Sequence, residues 1–381
     1  MRVSLSEQLE QLESRDCPAP LSFFFDGVGN LSIIGPTDPI IGLSINVAAP
    51  STITVTDGGV LALPATPISG NLTIRTMNVA NDLIDINLDT GAFLPGGLLV
   101  DTGFGSDTVT VTGADPSSSV LGDVTFLNVN NSFLFTETFL DVTIGGNLSI
   151  LSRTENLEQS FALFNTFVGG NVRYQSGNNS PFGTDILSLN QTAFGGNLSA
   201  VFGNGLNSLV VGATTAIGGN LTYTGGNNLD DVIIDGIVGG SANIRLANSE
   251  LGNALTFSGV VGGNFTMIGG SGNDGATVFV GTVGGNLYVN LGHGDNNFDF
   301  DGFLGGRSFT YLGGIGIDNV SFGGFAQRAR IYANLSLGDD AFTLFTTAIN
   351  YVYIDFGFGN DLFTGPFGIP YTFPVILRNL P

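Results

Sequence analysis

Nine Asp or Asn residues, Asp185, Asn207, Asp230, Asn253, Asp274, Asn296, Asp318, Asp340 and Asp361, recur at intervals of 22, 23, 23, 21, 22, 22, 22 and 21 residues. A spacing held that tightly means one supersecondary unit stacked on copies of itself. Two residues after these rungs come Leu187, Leu209, Val232, Leu255, Ala276, Phe298, Val320, Phe342 and Phe363. Four after most of them comes another apolar residue, such as Leu189, Val211, Ile234 or Phe300. That is the alternation of a β-strand with one face turned inward.

A second marker phases the same repeat. It is an apolar residue, a glycine pair and usually Asn, as in Ile144-Gly145-Gly146-Asn147, Val168-Gly169-Gly170-Asn171, Ile217-Gly218-Gly219-Asn220 and Val283-Gly284-Gly285-Asn286. A short strand such as Leu221-Thr222-Tyr223 follows, then a Gly-rich turn, then the strand that carries the rung. Two or three short strands with sharp corners bury nothing alone, so stacking must make the core. The expected fold is therefore all-β: a parallel β-helix or β-solenoid of roughly 22-residue coils. The glycine pairs are expected at corners, supplying positive φ and close approach of coils. The Asn after each pair is expected to form an internal ladder with the neighbouring coil.

Earlier copies, around Ser69-Gly70-Asn71, Gly96-Gly97 and Gly122-Asp123, keep a spacing near 25, and residues 36 to 67 blur it with proline. Residues 21–365 read as one solenoid, followed by a Pro-containing tail over 366–381. About sixteen coils at a strand spacing of about 4.8 Å would make a rod on the order of 75 Å long.

Composition narrows the function classes. The chain is 43% hydrophobic and 11% charged, too apolar to stay disordered, and no apolar run approaches the length of a spanning helix. The net charge is -22 and all ten cationic residues are arginine, which argues against nucleic-acid binding and excludes lysine Schiff-base chemistry. The single cysteine, Cys17, forms no intrachain disulfide.

Residues 1–20 stand apart. Leu5, Leu9 and Leu12 with the Ser4/Glu7 capping pattern predict a short amphipathic helix stopped by Pro18 and Pro20, without the apolar core of a conventional signal peptide. The stretch from Leu9 to Ala19 resembles an LExLExRxxPA motif found near the start of large bacterial surface and secreted proteins, notably planctomycetal ones. That resemblance implies a secreted or cell-surface setting. The helix alternatively serves only to cap the stack.

Two constellations suggest chemistry. Gly313-Gly314-Ile315-Gly316-Ile317-Asp318 resembles the calcium-binding turn of RTX repeat proteins, and the turns ending in Asp107, Asp274 and Asp361 are similar. Adding Asp340, the candidate metal residues are Asp107, Asp274, Asp318, Asp340 and Asp361, as Ca²⁺ ligands supplemented by turn carbonyls. The departures are one turn per coil, and Asn in place of Asp at 207, 253 and 296, so the same residues alternatively bond only turn backbone. Gly292-His293-Gly294 and Gly338-Asp339-Asp340 resemble short motifs of polygalacturonases, β-helical enzymes that use paired aspartates, but the motif order is reversed here and no complete acid, base and cation set emerges. The 31 phenylalanines, with Phe298, Phe300, Phe322 and Phe342 in inward register, predict a stacked aromatic core.

The expectation is a secreted or cell-surface structural or adhesive solenoid that requires no cofactor. Ser188, Thr256, Thr277, Ser321, Thr343 and Thr364 fall outward on one strand as a hydroxyl stripe suited to carbohydrate. Expected partners are carbohydrate, other surface proteins, or further copies of the chain through the solenoid ends, with no membrane insertion. The alternatives are a polysaccharide lyase or hydrolase and a calcium-binding RTX-like module.

Overall fold

A computed structural model describes residues 21–35, 42–76, 81–128, 134–152, 158–178, 183–326, 328–346, 349–365 and 375–380. The leader expected over 1–20, Cys17 included, lies outside them. Among the described residues every regular element is a strand, and the strands form two sixteen-stranded sheets and one ten-stranded sheet.

Each coil visits the three sheets in turn. Thr184–Asn190 lies in the rung-bearing sheet, Ala193–Phe194 in the ten-stranded one and, past the glycine pair, Leu198–Val201 in the third. The next coil repeats this with Leu206–Val211, Ala216–Ile217 and Leu221–Thr224, each strand parallel to its predecessor. Register is one full coil, so Leu187 stands under Leu209, Leu209 under Val232 and Val232 under Leu255, all fully buried. One contiguous core runs between the sheets. The expected phenylalanine stack is there: Phe300 and Phe322 stack with ring centroids 4.9 Å apart, and Phe309 lies 4.9 Å from Phe322.

There are about twelve turns of about 23 residues, fewer than the sixteen read from the repeat. At about 4.8 Å per turn the rod is about 58 Å long. The difference lies at the N-terminal end, where strands fold back instead of advancing. Ser22–Phe25 pairs antiparallel with Leu31–Ile34, and Leu43–Ala48, Thr52–Asp57 and Val60–Pro67 form an antiparallel meander on the end of the rung-bearing sheet. Its outermost strand carries Pro64 and Pro67, residues that blunt a sheet edge. At the other end Val375–Arg378 pairs parallel with Tyr351–Asp355 and extends the sheet that follows the glycine pairs.

The glycine pairs give the close approach expected of them but not the positive φ. Neither Gly169 nor Gly170 has positive φ; what they provide is room. A Cβ on Gly169 would stand 2.5 Å from the carbonyl oxygen of Gly145 one coil away, and one on Gly170 would stand 2.5 Å from Asn147 Oδ1. The close approach lets Gly169 N–H donate to the Ile144 carbonyl at 2.8 Å and Gly170 N–H to Gly146 at 2.9 Å. Positive φ belongs instead to the turn before the rung, for example at Gly272 and Gly294.

Because the obstacle at Gly169 is backbone, it cannot move aside as a side chain would. Gly169→Ala is expected to cost roughly 1–3 kcal/mol of stability, measured by chemical denaturation; a loss below about 0.5 kcal/mol, the range of an ordinary surface substitution, would show that coil contact at this corner is looser than the structure has it.

Candidate functional site

The rungs form a buried column. In register order its described side chains are Asp82, Asp107, Gln159, Asp185, Asn207, Asp230, Asn253, Asp274, Asn296, Asp318, Asp340 and Asp361. The five candidate metal residues are all in it, and all are buried: Asp107, Asp274 and Asp340 at 1% exposure, Asp318 at 0% and Asp361 at 9%. They stand on the inward face of the strand, on the same side as the core residues two positions later.

Hydrogen bonds run up this column in one direction. Asp230 N–H donates to Asn253 Oδ1 at 2.9 Å, Asn253 N–H to Asp274 Oδ1 at 3.2 Å, Asp274 N–H to Asn296 Oδ1 at 3.0 Å, Asp318 N–H to Asp340 Oδ1 at 2.8 Å and Asp340 N–H to Asp361 Oδ1 at 2.9 Å. Asn253, Asp274, Asn296, Asp340 and Asp361 thus each satisfy a backbone N–H that the turn below would otherwise bury without a partner. Asparagine adds a second bond, since the amides of Asn207, Asn253 and Asn296 donate to Oδ1 of Asp230, Asp274 and Asp318 at 2.8 to 2.9 Å. Asn in place of Asp is therefore a donor between two acceptors. Across the interior, the hydroxyls of Tyr223 and Tyr311 donate to Asp230 and Asp318.

The alternation of Asp and Asn stops at the C-terminal end, where Asp318, Asp340 and Asp361 follow one another. Their Oδ2 atoms are buried without a hydrogen-bond partner. Burial pushes Asp318 up to about 7, with the neighbouring Asp340 charge adding to it while Asn296 and Tyr311 oppose. Burial likewise raises Asp340 to about 6, reinforced by Asp361 and Asp339, and raises Asp230 to about 6 against its three donors. Asp274 is also raised by burial. Among the described residues, no group of three or more His, Cys, Asp or Glu is arranged to hold a metal ion.

The enzyme-like triplets occupy ladder positions as well. His293 Nδ1 accepts the Ile315 N–H at 3.0 Å on the surface. Asp339 and Asp340 are adjacent in the chain, so they face opposite ways: Asp339 is exposed and accepts Asn360 N–H at 2.9 Å, while Asp340 is buried. The Asn after each glycine pair forms the expected ladder, but on the surface and not inside. Asn147 N–H donates to Asp123 Oδ1 at 2.7 Å, Asn171 N–H to Asn147 Oδ1 at 2.9 Å and Asn197 N–H to Asn171 Oδ1 at 2.9 Å. The hydroxyl stripe is also broken. Register places Val210 and Ile233 between Ser188 and Thr256, and a shift in pairing takes Thr277 out of the column, leaving only Ser321, Thr343 and Thr364 consecutive.

Two buried polar residues escape the sequence pattern. Glu137 stands between Val109 and Phe161 in the apolar column, and Gln159 takes a rung. Neither carboxylate oxygen of Glu137 has a hydrogen-bond partner, and burial holds its pKa well above the usual carboxylate range. The signal available in the sequence was a Glu at the position where other coils carry Val, Leu or Phe.

Parallel coils, one-coil register and a continuous core make the chain a parallel β-solenoid. Comparison with protein-family models, curated proteins and solved structures finds no match to any of them.

Because Asp230, Asp318 and Asp340 have folded pKa values above the unfolded value of about 3.9, protonation favours the fold. Their contribution is complete below about pH 4 and is lost as pH rises through 6 to 7. For this column the expected melting temperature is higher at pH 5 than at pH 8. Asp340→Asn, which restores the alternation, should raise it at pH 8 and leave it nearly unchanged at pH 5; an equal shift at both values would refute the proton linkage. Replacing the partnerless carboxyl by Glu137→Leu is expected to gain roughly 1–3 kcal/mol at pH 7, and a loss in urea melts would mean that the carboxyl is satisfied.

Proposed function

We propose that the chain is a secreted or cell-surface structural or adhesive solenoid without catalytic activity. The observation that carries this reading is the division of polar groups. The rung carboxyls turn inward and bond backbone, while the long flat sheets present outward columns of mixed hydroxyl, amide and apolar side chains. An extended surface of that kind binds along its length and not in a cleft. The resemblance of the leader to motifs of bacterial surface proteins supports the setting. A calcium-binding module is the second reading, supported by the partnerless Oδ2 atoms of Asp318, Asp340 and Asp361.

Surface placement is tested by protease shaving and antibody labelling of intact against lysed cells. Labelling confined to lysed cells would end the proposal. On purified chelator-treated protein, millimolar Ca²⁺ is expected to leave the melting temperature unchanged; a clear rise, which selective binding to the native state must produce, would favour the calcium module. Pectin and alginate are expected to yield no released products.

A further inference from the structure

One outward column of the sheet that follows the glycine pairs reads Ser199, Thr222, Asn243 and Thr266 over successive coils. The character changes over the last coils. The same column continues as Tyr288, Thr310, Tyr332 and Tyr353, and the column beside it reads Ser308, Arg330 and Tyr351. Of the eight tyrosines in the chain, Tyr174, Tyr223 and Tyr311 are buried and Tyr371 lies outside the described residues, so every outward tyrosine described is in this patch.

Arginine collects at the same place. Arg307, Arg328 and Arg330 line a concavity of about 460 Å³ together with Asn286, Ser308 and Asn350. Among the described residues no carboxylate lies within 4.0 Å of these three guanidinium groups. Arg378 covers the ring of Tyr353 at 5.6 Å, and Tyr353 stacks on Tyr332 with centroids 5.1 Å apart and planes 3° apart. The chain contains no acidic residue between Asp301 and Asp318, between Asp318 and Asp339, or between Asp340 and Asp355. A molecule of net charge -22 thus gathers three arginines at one corner, and the outward acid on the neighbouring strand, Asp355, lies at its far end in register with Arg378.

We propose that this patch binds an acidic polysaccharide, the guanidinium groups of Arg307, Arg328 and Arg330 taking its carboxylate or sulfate groups and the tyrosines with Asn286, Ser308 and Asn350 taking its sugar units. The planar fork of arginine suits either oxyanion in bidentate fashion. Tyrosine offers an amphipathic ring with a polar tip, matched to a sugar that is apolar on its faces and hydroxylated at its rim. Screening at physiological salt has a length of about 8 Å, so the distant acids of the chain do not cancel the local field. The proposal rests on the adhesive reading and names the ligand class it would serve.

The test is native affinity electrophoresis of the full chain at 0.15 M salt through gels containing polygalacturonate, chondroitin sulfate or neutral dextran. The unmodified protein is expected to be retarded by an anionic polymer and not by dextran; which anionic gel retards it separates carboxylate from sulfate recognition. Arg307→Gln with Arg330→Gln should weaken retention about ten-fold, in line with loss of charge-assisted hydrogen bonds. Arg173→Gln with Arg245→Gln removes the same two charges elsewhere, taking -22 to -24 in both cases, and should change it less than about two-fold. Thermal melts establish that both variants are folded, and Tyr332→Ala supplies a second variant that leaves charge unchanged and is expected to weaken retention. Equal losses in the two arginine pairs, absence of retardation in both anionic gels, or equal retardation in dextran would overturn the proposal. So would a patch variant that alters sedimentation but not retention, which would make the patch a contact between copies of this chain. Surface labelling that persists in a variant without glycan retention would leave the adhesive reading standing while the patch reading falls; labelling confined to lysed cells would remove the adhesive reading itself.

Discussion

The backbone N–H at each corner is the group on which this architecture depends. Within the three sheets, the strands of inner coils find their hydrogen bonds in the coils above and below. At a corner the chain turns out of the sheet, and an N–H there would be stranded. The protein solves this with a side-chain oxygen from the adjoining coil: the buried Asp/Asn column before the rung strand, the Asn ladder after the glycine pair, and a surface row in which Asn273 accepts Asp295 N–H and Asp295 accepts Ile317 N–H at 2.9 Å each. Glycine is required wherever two corners must meet closely enough for these bonds, which is why it recurs in pairs.

The buried column adds an electrostatic constraint to a geometrical one. A row of carboxylates one coil apart inside the protein would be strongly self-repelling. Asparagine at every second rung removes half the charge and contributes a donor to the next carboxyl. Tyr223 and Tyr311 reach from the facing sheet to add another. Where the alternation lapses, burial and the neighbouring carboxylates raise the pKa values of Asp318 and Asp340 instead.

Much of this was legible in the sequence because period and inward alternation are one-dimensional signals. Leu187, Leu209 and Phe298 announce their column without any knowledge of the fold. Which ladder is buried was not legible, since an Asn after a glycine pair and an Asp after a glycine turn look equivalent until the corner is built: Asn147 proves exposed and Asp318 enclosed. The antiparallel start was hidden for a related reason, because Ile53-Thr54-Val55-Thr56 alternates equally well in either strand direction. The tyrosine and arginine patch was invisible because Arg307 and Tyr353 are far apart in sequence and meet only once register is known. Gln159 and Glu137 were missed because the spacing around them is irregular and their residue types do not match the motif.

The two corner ladders run in opposite senses. In the buried column an N–H reaches forward to the next coil, from Asp318 to Asp340, whereas after the glycine pairs it reaches back, from Asn171 to Asn147. Each new coil consequently completes its predecessor at one corner and is completed by it at another, like a tile with a tongue on one edge and a socket on the other. Any whole coil can be duplicated or deleted without leaving a corner unmatched, whereas a partial one cannot. The length of such a rod is therefore free to change over evolutionary time in increments of one coil, which makes it a ruler whose marks are spaced by the strand separation itself.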